Sequence, residues 1–327
     1  MVSFFIYFKY RKEYRMKNII EINNLVKSFK NVTAVDGISL NIKEGEIFGL
    51  LGPNGAGKST TINILCGILR MDKGDVKCFD KDINKKIRDI KKDIGVVPQN
   101  IAVYDELKAR ENVEFFASLY GLKGKELKDS AQQALEFVGL TDRSDDYPKN
   151  FSGGMKRRLN IACAIAHQPK LIIMDEPTVG IDPQSRNHIL ESVKRLNEMG
   201  STIIYTSHYM EEVEAICTRI GIIDHGKLIA CGTYEELQSL VSDRKSIIIE
   251  TDIGVDVKKE EMKKIKGVAE VFQDENTVNI ETNKESDCIV DITTFCRENN
   301  VPIRSINMGN ISLETVFLSL TGRSLRD

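Results

Sequence analysis

The segment of this 327-residue sequence that most clearly carries chemistry is residues 52–60, which read GPNGAGKST. Residues 52–59 match the pattern G-x-x-x-x-G-K-[ST]. In that pattern the backbone N–H groups of a loop surround an anion, and the N-terminus of the following helix adds its partial positive charge. Lys58 would reach the β- and γ-phosphates of a nucleotide, and the Ser59 hydroxyl would ligate Mg²⁺. The segment therefore predicts a phosphate-binding loop.

A second candidate lies at residues 171–176, LIIMDE, where an apolar run ends in two carboxylates. Taken alone, such a pair is usually the solvated end of a strand. Beside a phosphate-binding loop, however, Asp175 is placed to bind Mg²⁺. Glu176 is placed to orient or deprotonate a water molecule, a role worth roughly 10²–10⁴-fold in rate.

The elements that position these residues are predicted from short apolar runs. Residues 47–51 form a candidate buried strand that runs into the phosphate-binding loop, after which apolar residues recur at helical spacing. Residues 171–174 and 202–205 are two more short buried runs, each followed by polar residues and a helical pattern. Residues 81–145 are mostly helical in pattern. Strands that alternate with helices predict an α/β core with a parallel sheet.

The pattern changes after about residue 240. Apolar residues alternate at Ile247 and Ile249, and the following segments read in the order β-α-β-β-α-β. We expect a small α+β domain of ferredoxin-like topology, ended by an amphipathic helix over residues 312–320.

Composition limits the class of protein. The sequence is 41% hydrophobic and 29% charged with a formal net charge of -2, which is typical of a globular protein without a general attraction to nucleic acid. No apolar run approaches the roughly 20 residues that a membrane-spanning helix needs. The 7 cysteines are scattered without a CxxC pair, so we expect reduced core residues.

The first residues need a separate prediction. Residues 3–8 are apolar and precede Lys9, Arg11, Lys12 and Arg15, the reverse of the order in a signal peptide. We expect residues 1–16 to be an N-terminal extension before the first domain, in which residues 1–15 lie upstream of a translation start at Met16. The alternative is an interfacial membrane anchor.

Three further features make the motif set specific. Residues 151–155, FSGGM, lie upstream of Asp175 and Glu176; Gln99 lies between the phosphate-binding loop and that segment; and His208 follows a later predicted strand. Over residues 17–235 the sequence resembles the ATP-binding cassette (ABC) ATPases. The resemblance implies an α/β P-loop NTPase core, the ABC nucleotide-binding domain, over residues 17–238, with a helical subdomain over about residues 100–165. Residues 243–327 would then be the C-terminal accessory domain.

The resemblance also implies a site shared by two chains. In the family the signature, here Ser152, Gly153 and Gly154, begins a helix whose N-terminus contacts the γ-phosphate held by the P-loop of the other protomer. This sequence has a single P-loop and a single signature. Two copies, or one copy and a similar subunit, should therefore meet head to tail around two ATP molecules.

The resemblance assigns roles to the remaining residues. Gln99 matches the Q-loop glutamine that senses Mg²⁺ and water, His208 the switch histidine, and Asp182 the D-loop aspartate; Phe29 stands where an aromatic stacks on adenine. Phe29 replaces the commoner tyrosine, and Phe151 replaces the usual leucine before the signature. The catalytic set is Glu176, His208 and Gln99, and the Mg²⁺ set is Ser59, Gln99 and Asp175. The nucleotide set is Phe29, Gly52, Pro53, Asn54, Gly55, Ala56, Gly57, Lys58, Ser59, Thr60, Ser152, Gly153, Gly154 and Asp182.

A narrower resemblance is to ATPase subunits of ABC-2 type exporters, and it rests on Val97-Pro98-Gln99, on residues 111–122 and on residues 312–318. It implies an ATP- and Mg²⁺-dependent ATPase that powers transport through a separate integral-membrane permease. Such a subunit would be peripheral, at the cytoplasmic face of the cell membrane, without a nucleic-acid partner.

Two alternatives remain open from the sequence. One is a soluble ABC ATPase that acts on nucleic acid or ribosomes, which the short interval between Gly57 and Ser152 and the single cassette make less favourable. The other is a nucleotide-dependent scaffold without catalysis. It is disfavoured because the residues that catalysis needs are all intact, namely Lys58, Asp175, Glu176 and His208.

Overall fold

The computed structural model describes residues 17–30, 32–241, 244–283, 286–309 and 312–322. The N-terminal extension predicted over residues 1–16, and with it the start at Met16, lies outside the described residues. The chain divides into two compact units between Thr233 and Tyr234. Among the described residues the first unit holds two sheets and the second holds one, and each unit has its own apolar core.

The first unit holds the predicted site residues. Its strands are β1 (Asn18–Phe29), β2 (Val32–Lys43), β3 (Ile47–Leu51), β4 (Lys73–Cys78), β5 (Lys81–Asp82), β6 (Ile94–Val97), β7 (Leu171–Asp175), β8 (Thr202–Thr206), β9 (Arg219–Asp224) and β10 (Lys227–Gly232). Its α-helices are α1 (Lys58–Leu65), α2 (Ile83–Lys91), α3 (Ala109–Leu119), α4 (Gly124–Phe137), α5 (Gly153–Ile165), α6 (Pro183–Glu198) and α7 (Met210–Ile216).

The central sheet has six strands in the order β10-β9-β3-β8-β7-β6. Strands β6, β7, β8, β3 and β9 are parallel neighbours, and β10 pairs antiparallel with β9. Strands β3 and β8 are fully buried, which accounts for their continuous apolar sequences. Because parallel strands share an edge at their carboxyl ends, the segments after β3, β7 and β8 meet there.

A second sheet in this unit is antiparallel, in the order β2-β1-β4-β5, and Phe29 ends β1. Helices α3, α4 and α5 pack together through buried residues that include Val113, Leu135 and Leu159. The loop that follows Gln99 leads into α3, and α5 is the helix that begins at the signature.

Strand β6 differs from the sequence expectation, which treated residues 81–145 as mostly helical. Residues 94–97 pair parallel with β7, from Ile94 opposite Leu171 to Val97 opposite Met174. A Cβ on Gly95 would lie 2.3 Å from the carbonyl oxygen of Ala164, so the glycine permits close packing of this strand on α5. The strand is so short, and polar residues follow it so closely, that its sequence shows no alternation of apolar and polar residues.

The second unit comprises α8 (Tyr234–Val241), β11 (Arg244–Glu250), α9 (Lys259–Met262), β12 (Val268–Asp274), β13 (Thr277–Asn283), α10 (Ile289–Glu298), β14 (Ser305–Gly309) and α11 (Leu313–Thr321). Its four strands are antiparallel in the order β12-β13-β11-β14. Residues Ile249, Ile280 and Ile292 lie in its core. Helix α8 belongs to this unit because it packs against α11. The ferredoxin-like class and the boundaries at residues 238 and 243 stay predictions.

In the part of the chain that the structure describes, every helix is too short or too polar to cross a membrane. All seven cysteines are thiols. Burial raises the pKa of Cys66 and of Cys78 to about 12, so neither is a reactive thiolate near neutral pH.

Candidate nucleotide-binding and hydrolysis site

The phosphate-binding loop is held tightly between β3 and α1. Gly57 has a φ of 106°, and a Cβ there would lie 2.4 Å from the carbonyl oxygen of Ala34. At Gly52 a Cβ would lie 2.3 Å from the carbonyl oxygen of Ile223. Only glycine fits at these two positions, because the loop packs directly against the backbone of β2 and β9. Asn54 and Gly55 at the tip of the loop are exposed.

Lys58 is the first residue of α1 and is buried. Its Nζ donates to the carbonyl oxygens of Gly52, at 2.6 Å, and Pro53, at 3.2 Å. Burial lowers the pKa of Lys58, while Glu176 and Asp175 act in the opposite direction. The ammonium group is therefore fixed across the loop, and both predicted carboxylates attract its charge. Ser59, the next residue, is exposed.

Asp175 and Glu176 are joined through Thr206, which the sequence prediction did not include. Thr206 ends β8 and lies opposite Asp175 in the sheet. Its hydroxyl donates to Asp175 Oδ1 at 2.7 Å and accepts the Glu176 N–H at 2.9 Å. Glu176 has a φ of +49°, a backbone conformation that is uncommon outside glycine and asparagine. The strand pairing thus sets the direction in which the two carboxylates leave the sheet.

The three predicted catalytic residues come together in the structure. Gln99 Nε2 donates to Glu176 Oε2 at 2.6 Å. His208 Nε2 lies 2.5 Å from Glu176 Oε1. Glu176 is only 6% exposed, so a charge on it acts in a medium that screens poorly. Residues from two other loops therefore converge on the Glu176 carboxylate.

The motifs in the sequence also did not predict a role for Arg157, although this residue fixes the loop of Gln99. It lies on α5, is 3% exposed, and donates from Nη1 to the Pro98 carbonyl oxygen at 2.7 Å and from Nη2 to the Gln99 carbonyl oxygen at 2.6 Å. Burial lowers the pKa of Arg157. The sequence signal that could have indicated this role is an arginine on the buried face of α5, because a buried charge needs partners.

The signature residues begin α5 but contact α6. Ser152 caps α5 by accepting the Met155 N–H at 3.2 Å, and Asp182 caps α6 by accepting the Ser185 N–H at 2.9 Å, which lowers the pKa of Asp182. A Cβ on Gly154 would lie 2.6 Å from Ser185 Cβ, whereas one on Gly153 would meet nothing closer than 3.9 Å. Among the described residues, no hydrogen bond joins the signature to the phosphate-binding loop.

Phe29 presents its ring at the end of β1 with 45% of the residue exposed. Lys27 Nζ lies 5.5 Å from the centroid of this ring and pairs with Asp72 at 2.7 Å. An exposed aromatic face of this kind can stack on a planar base.

The oxygen donors near the loop suit Mg²⁺ that is bound together with substrate phosphates. They suit a metal ion held by protein ligands alone less well. In the described residues, histidine, cysteine and acidic side chains form no group of three that could hold a metal. The predicted set of Ser59, Gln99 and Asp175 offers a hydroxyl, an amide and a carboxylate oxygen. Mg²⁺ is commonly bound by one or two such ligands together with substrate phosphates.

Comparisons with known proteins agree with this geometry. Residues 35–179 match the family model described as "ABC transporter". The sequence is 46% identical over 94% of the chain to the full length of the linearmycin resistance ATP-binding protein LnrL of Bacillus subtilis (strain 168). The chain belongs to the ABC transporter ATPase family. As an ABC ATPase it binds ATP, and its α/β fold is that of the cassette.

Two further matches support the assignment of this ABC ATPase. It is 36% identical to a Nod factor export ATP-binding protein I of Paraburkholderia xenovorans (strain LB400), over 94% of this chain and 98% of that protein. A solved dimeric cassette in a post-hydrolysis state, bound to ADP and phosphate, is 29% identical with a TM-score of 0.60. That match covers 65% of this chain and 98% of the other.

Proposed function

We propose that this ABC ATPase is the subunit of an ABC-2 type exporter that hydrolyses ATP to drive a separate membrane permease. The convergence of Gln99 and His208 on Glu176 is the observation that carries the catalytic part of this proposal. The export part is supported by full-length similarity to a protein named for Nod factor export and to one named for linearmycin resistance.

The site residues have distinct chemical tasks in this proposal. Lys58 and the loop N–H groups bind the β- and γ-phosphates, and Phe29 stacks on the adenine. Ser59, Gln99 and Asp175 would hold Mg²⁺, which when bound supplies positive charge against the phosphate oxygens. Glu176 accepts a proton from the attacking water, and His208 donates a hydrogen bond to the γ-phosphate.

A second protomer completes the site. Gly153 begins α5, and space around it is open within the chain. The N–H groups of that helix start are therefore available to the γ-phosphate of ATP bound to another copy or to a similar subunit. Asp182 caps the neighbouring helix α6 and would lie at the same interface.

The permease would dock on an exposed apolar patch beside Gln99. We define this patch by Ile101, Tyr104, Phe115 and Leu119, all of which are exposed. Tyr104 and Phe115 pack edge to face with ring centroids 5.2 Å apart. Exposed apolar patches of this kind mark interaction sites. Docking there would place the subunit at the cytoplasmic face of the membrane.

Isolation of the tagged protein from its native membrane, followed by mass spectrometry, tests the proposal. We expect a membrane protein with several spanning segments to be retained, and the Phe115→Asp/Leu119→Asp variant to lose it. Ile68→Asp, a change at an exposed apolar residue after α1, is the matched control and should retain it. Retention of ribosomal proteins or nucleic acid in place of a membrane protein would contradict the exporter assignment.

A further inference from the structure

A buried carboxylate on α7, Glu212, joins two loops of the hydrolysis site, those after β7 and β8, to helix α6. Glu212 is 3% exposed. Its Oε2 accepts hydrogen bonds from the hydroxyl groups of Thr178, Tyr205 and Ser207, at 2.8, 2.8 and 2.7 Å. Its Oε1 lies 3.4 Å from Nε of Arg186. Side chains from four different segments therefore meet at one acidic group.

Two of these contacts fix the backbone on either side of His208. Ser207, the preceding residue, donates its hydroxyl hydrogen to Glu212 and accepts the N–H of Tyr209 at 3.0 Å. Tyr209, the following residue, lies with its ring 4.4 Å from the guanidinium carbon of Arg186. His208 is thus held between two residues that are both tied to Glu212, one directly and one through Arg186.

The other contacts reach the remaining catalytic segments. Thr178 follows Glu176 after a single intervening residue, and its hydroxyl binds Glu212. Arg186 lies on α6 one turn after its N-cap residue, Asp182. A displacement of α6 or of the loop after β7 would therefore be transmitted to the segment that carries His208.

The charge of Glu212 suits this arrangement. Three hydroxyl donors and one guanidinium group surround it, and burial of a carboxylate is costly unless such donors are present. A neutral amide at this position could keep the hydroxyl contacts on its oxygen, but its NH₂ group would face Arg186. The link between α6 and the His208 segment would then be lost selectively.

We propose that Glu212 is a positioning residue that holds His208 in contact with Glu176 and couples it to α6 through Arg186. The inference rests on the proposed function, because it assumes that His208 takes part in hydrolysis. Glu212 itself does not touch the reacting atoms. It acts by fixing the orientation of a group that does.

A double-mutant cycle in the full chain tests this proposal, with kcat and KM for ATP as readouts. Glu212→Gln should lower kcat about 10-fold, because small displacements of a catalytic group cost rate, while KM for ATP stays within about twofold. In the His208→Ala background the same change should lower kcat further by less than about twofold. Glu211→Gln, at the exposed neighbouring position on α7, should match wild type.

Ser207→Ala provides an independent arm if Glu212→Gln fails to fold, since it removes one hydroxyl from the same network and should give the same non-additive pattern. The inference would be overturned if Glu212→Gln or Ser207→Ala lowered kcat by the same factor in the wild-type and His208→Ala backgrounds. A wild-type kcat in Glu212→Gln or in Ser207→Ala would also overturn it. A wild-type kcat for His208→Ala alone would instead contradict the proposed role of His208 in hydrolysis.

Discussion

The side chains of Glu176 and His208 are in direct contact, with His208 Nε2 2.5 Å from Glu176 Oε1. Gln99 donates to the other oxygen of the same carboxylate at 2.6 Å. A water molecule that donates a proton to Glu176 must therefore share or replace one of these contacts. Since Gln99 and His208 lie on separate loops, water activation at Glu176 is linked to the positions of both.

Replacement of the candidate base should separate binding from hydrolysis. In Glu176→Gln the amide keeps the shape of the side chain but cannot accept a proton from water, so ATP turnover should fall about 10²–10⁴-fold. ATP should bind at least as tightly as in the wild type, because the binding contacts of Lys58 and the loop are intact. Turnover by phosphate release and affinity by calorimetry check both parts. Glu198→Gln, at an exposed position on α6, is the control. Near wild-type turnover in Glu176→Gln would show that Glu176 is not the base.

The arginine that fixes the loop of Gln99 should matter for both stability and activity. Arg157→Lys cannot bind two carbonyl oxygens through a planar fork, and it should lower the free energy of unfolding by about 2 kcal/mol and reduce kcat. Arg158→Lys is the matched control, since Arg158 binds the carbonyl oxygens of Val138 and Gly139 away from Gln99. Denaturant unfolding and ATPase assays measure the two effects. Equal kcat in the two variants would mean that the Arg157 contacts do not position Gln99.

Alanine substitutions at the two signature glycines should impair the protein for different reasons. Gly154→Ala places a Cβ against Ser185 and should destabilise the chain by about 1–3 kcal/mol. Gly153→Ala has open space within the chain, so the free energy of unfolding should stay close to that of wild type. ATPase activity should nevertheless fall in Gly153→Ala, because the added methyl group would face the phosphate bound by the partner protomer. Full activity in a folded Gly153→Ala variant would contradict a shared site at this helix start.

Acid should destabilise the first unit partly through His167. Burial lowers the pKa of His167 from 6.5 to about 4. Between these pH values the unfolded chain binds a proton that the folded chain does not, so the free energy of unfolding falls as pH falls, by about 1.4 kcal/mol per pH unit. His167→Phe keeps a ring stacked on Tyr120 and removes this contribution. Its unfolding free energy should therefore change less steeply than that of wild type from pH 6.5 to pH 4.

Chemical denaturation at several pH values measures these slopes. The exposed His188 supplies the control variant, His188→Gln, which replaces a histidine without touching the stacking of His167 on Tyr120. Parallel curves for wild type and His167→Phe would show that His167 is not buried as a neutral side chain.

Motifs in the sequence predicted the phosphate-binding loop and the acidic pair because their chemistry depends on residues that are close in sequence. Thr206, Arg157 and Glu212 were not predicted. Their roles arise from contacts between distant segments, such as the pairing of β7 with β8 and the packing of α5 on the loop of Gln99. Threonine, arginine and glutamate at those positions are also common in structural roles, so residue type alone does not identify them.

The most direct test of the shared-site account is the mass of the Glu176→Gln chain, measured by size-exclusion chromatography with light scattering with and without ATP and Mg²⁺. The account predicts the mass of one chain without nucleotide and twice that mass with ATP and Mg²⁺. Lys58→Ala, which removes a phosphate contact, should stay at the mass of one chain in both conditions. A Glu176→Gln chain that binds ATP and still has the mass of one chain would contradict a site completed by a second copy.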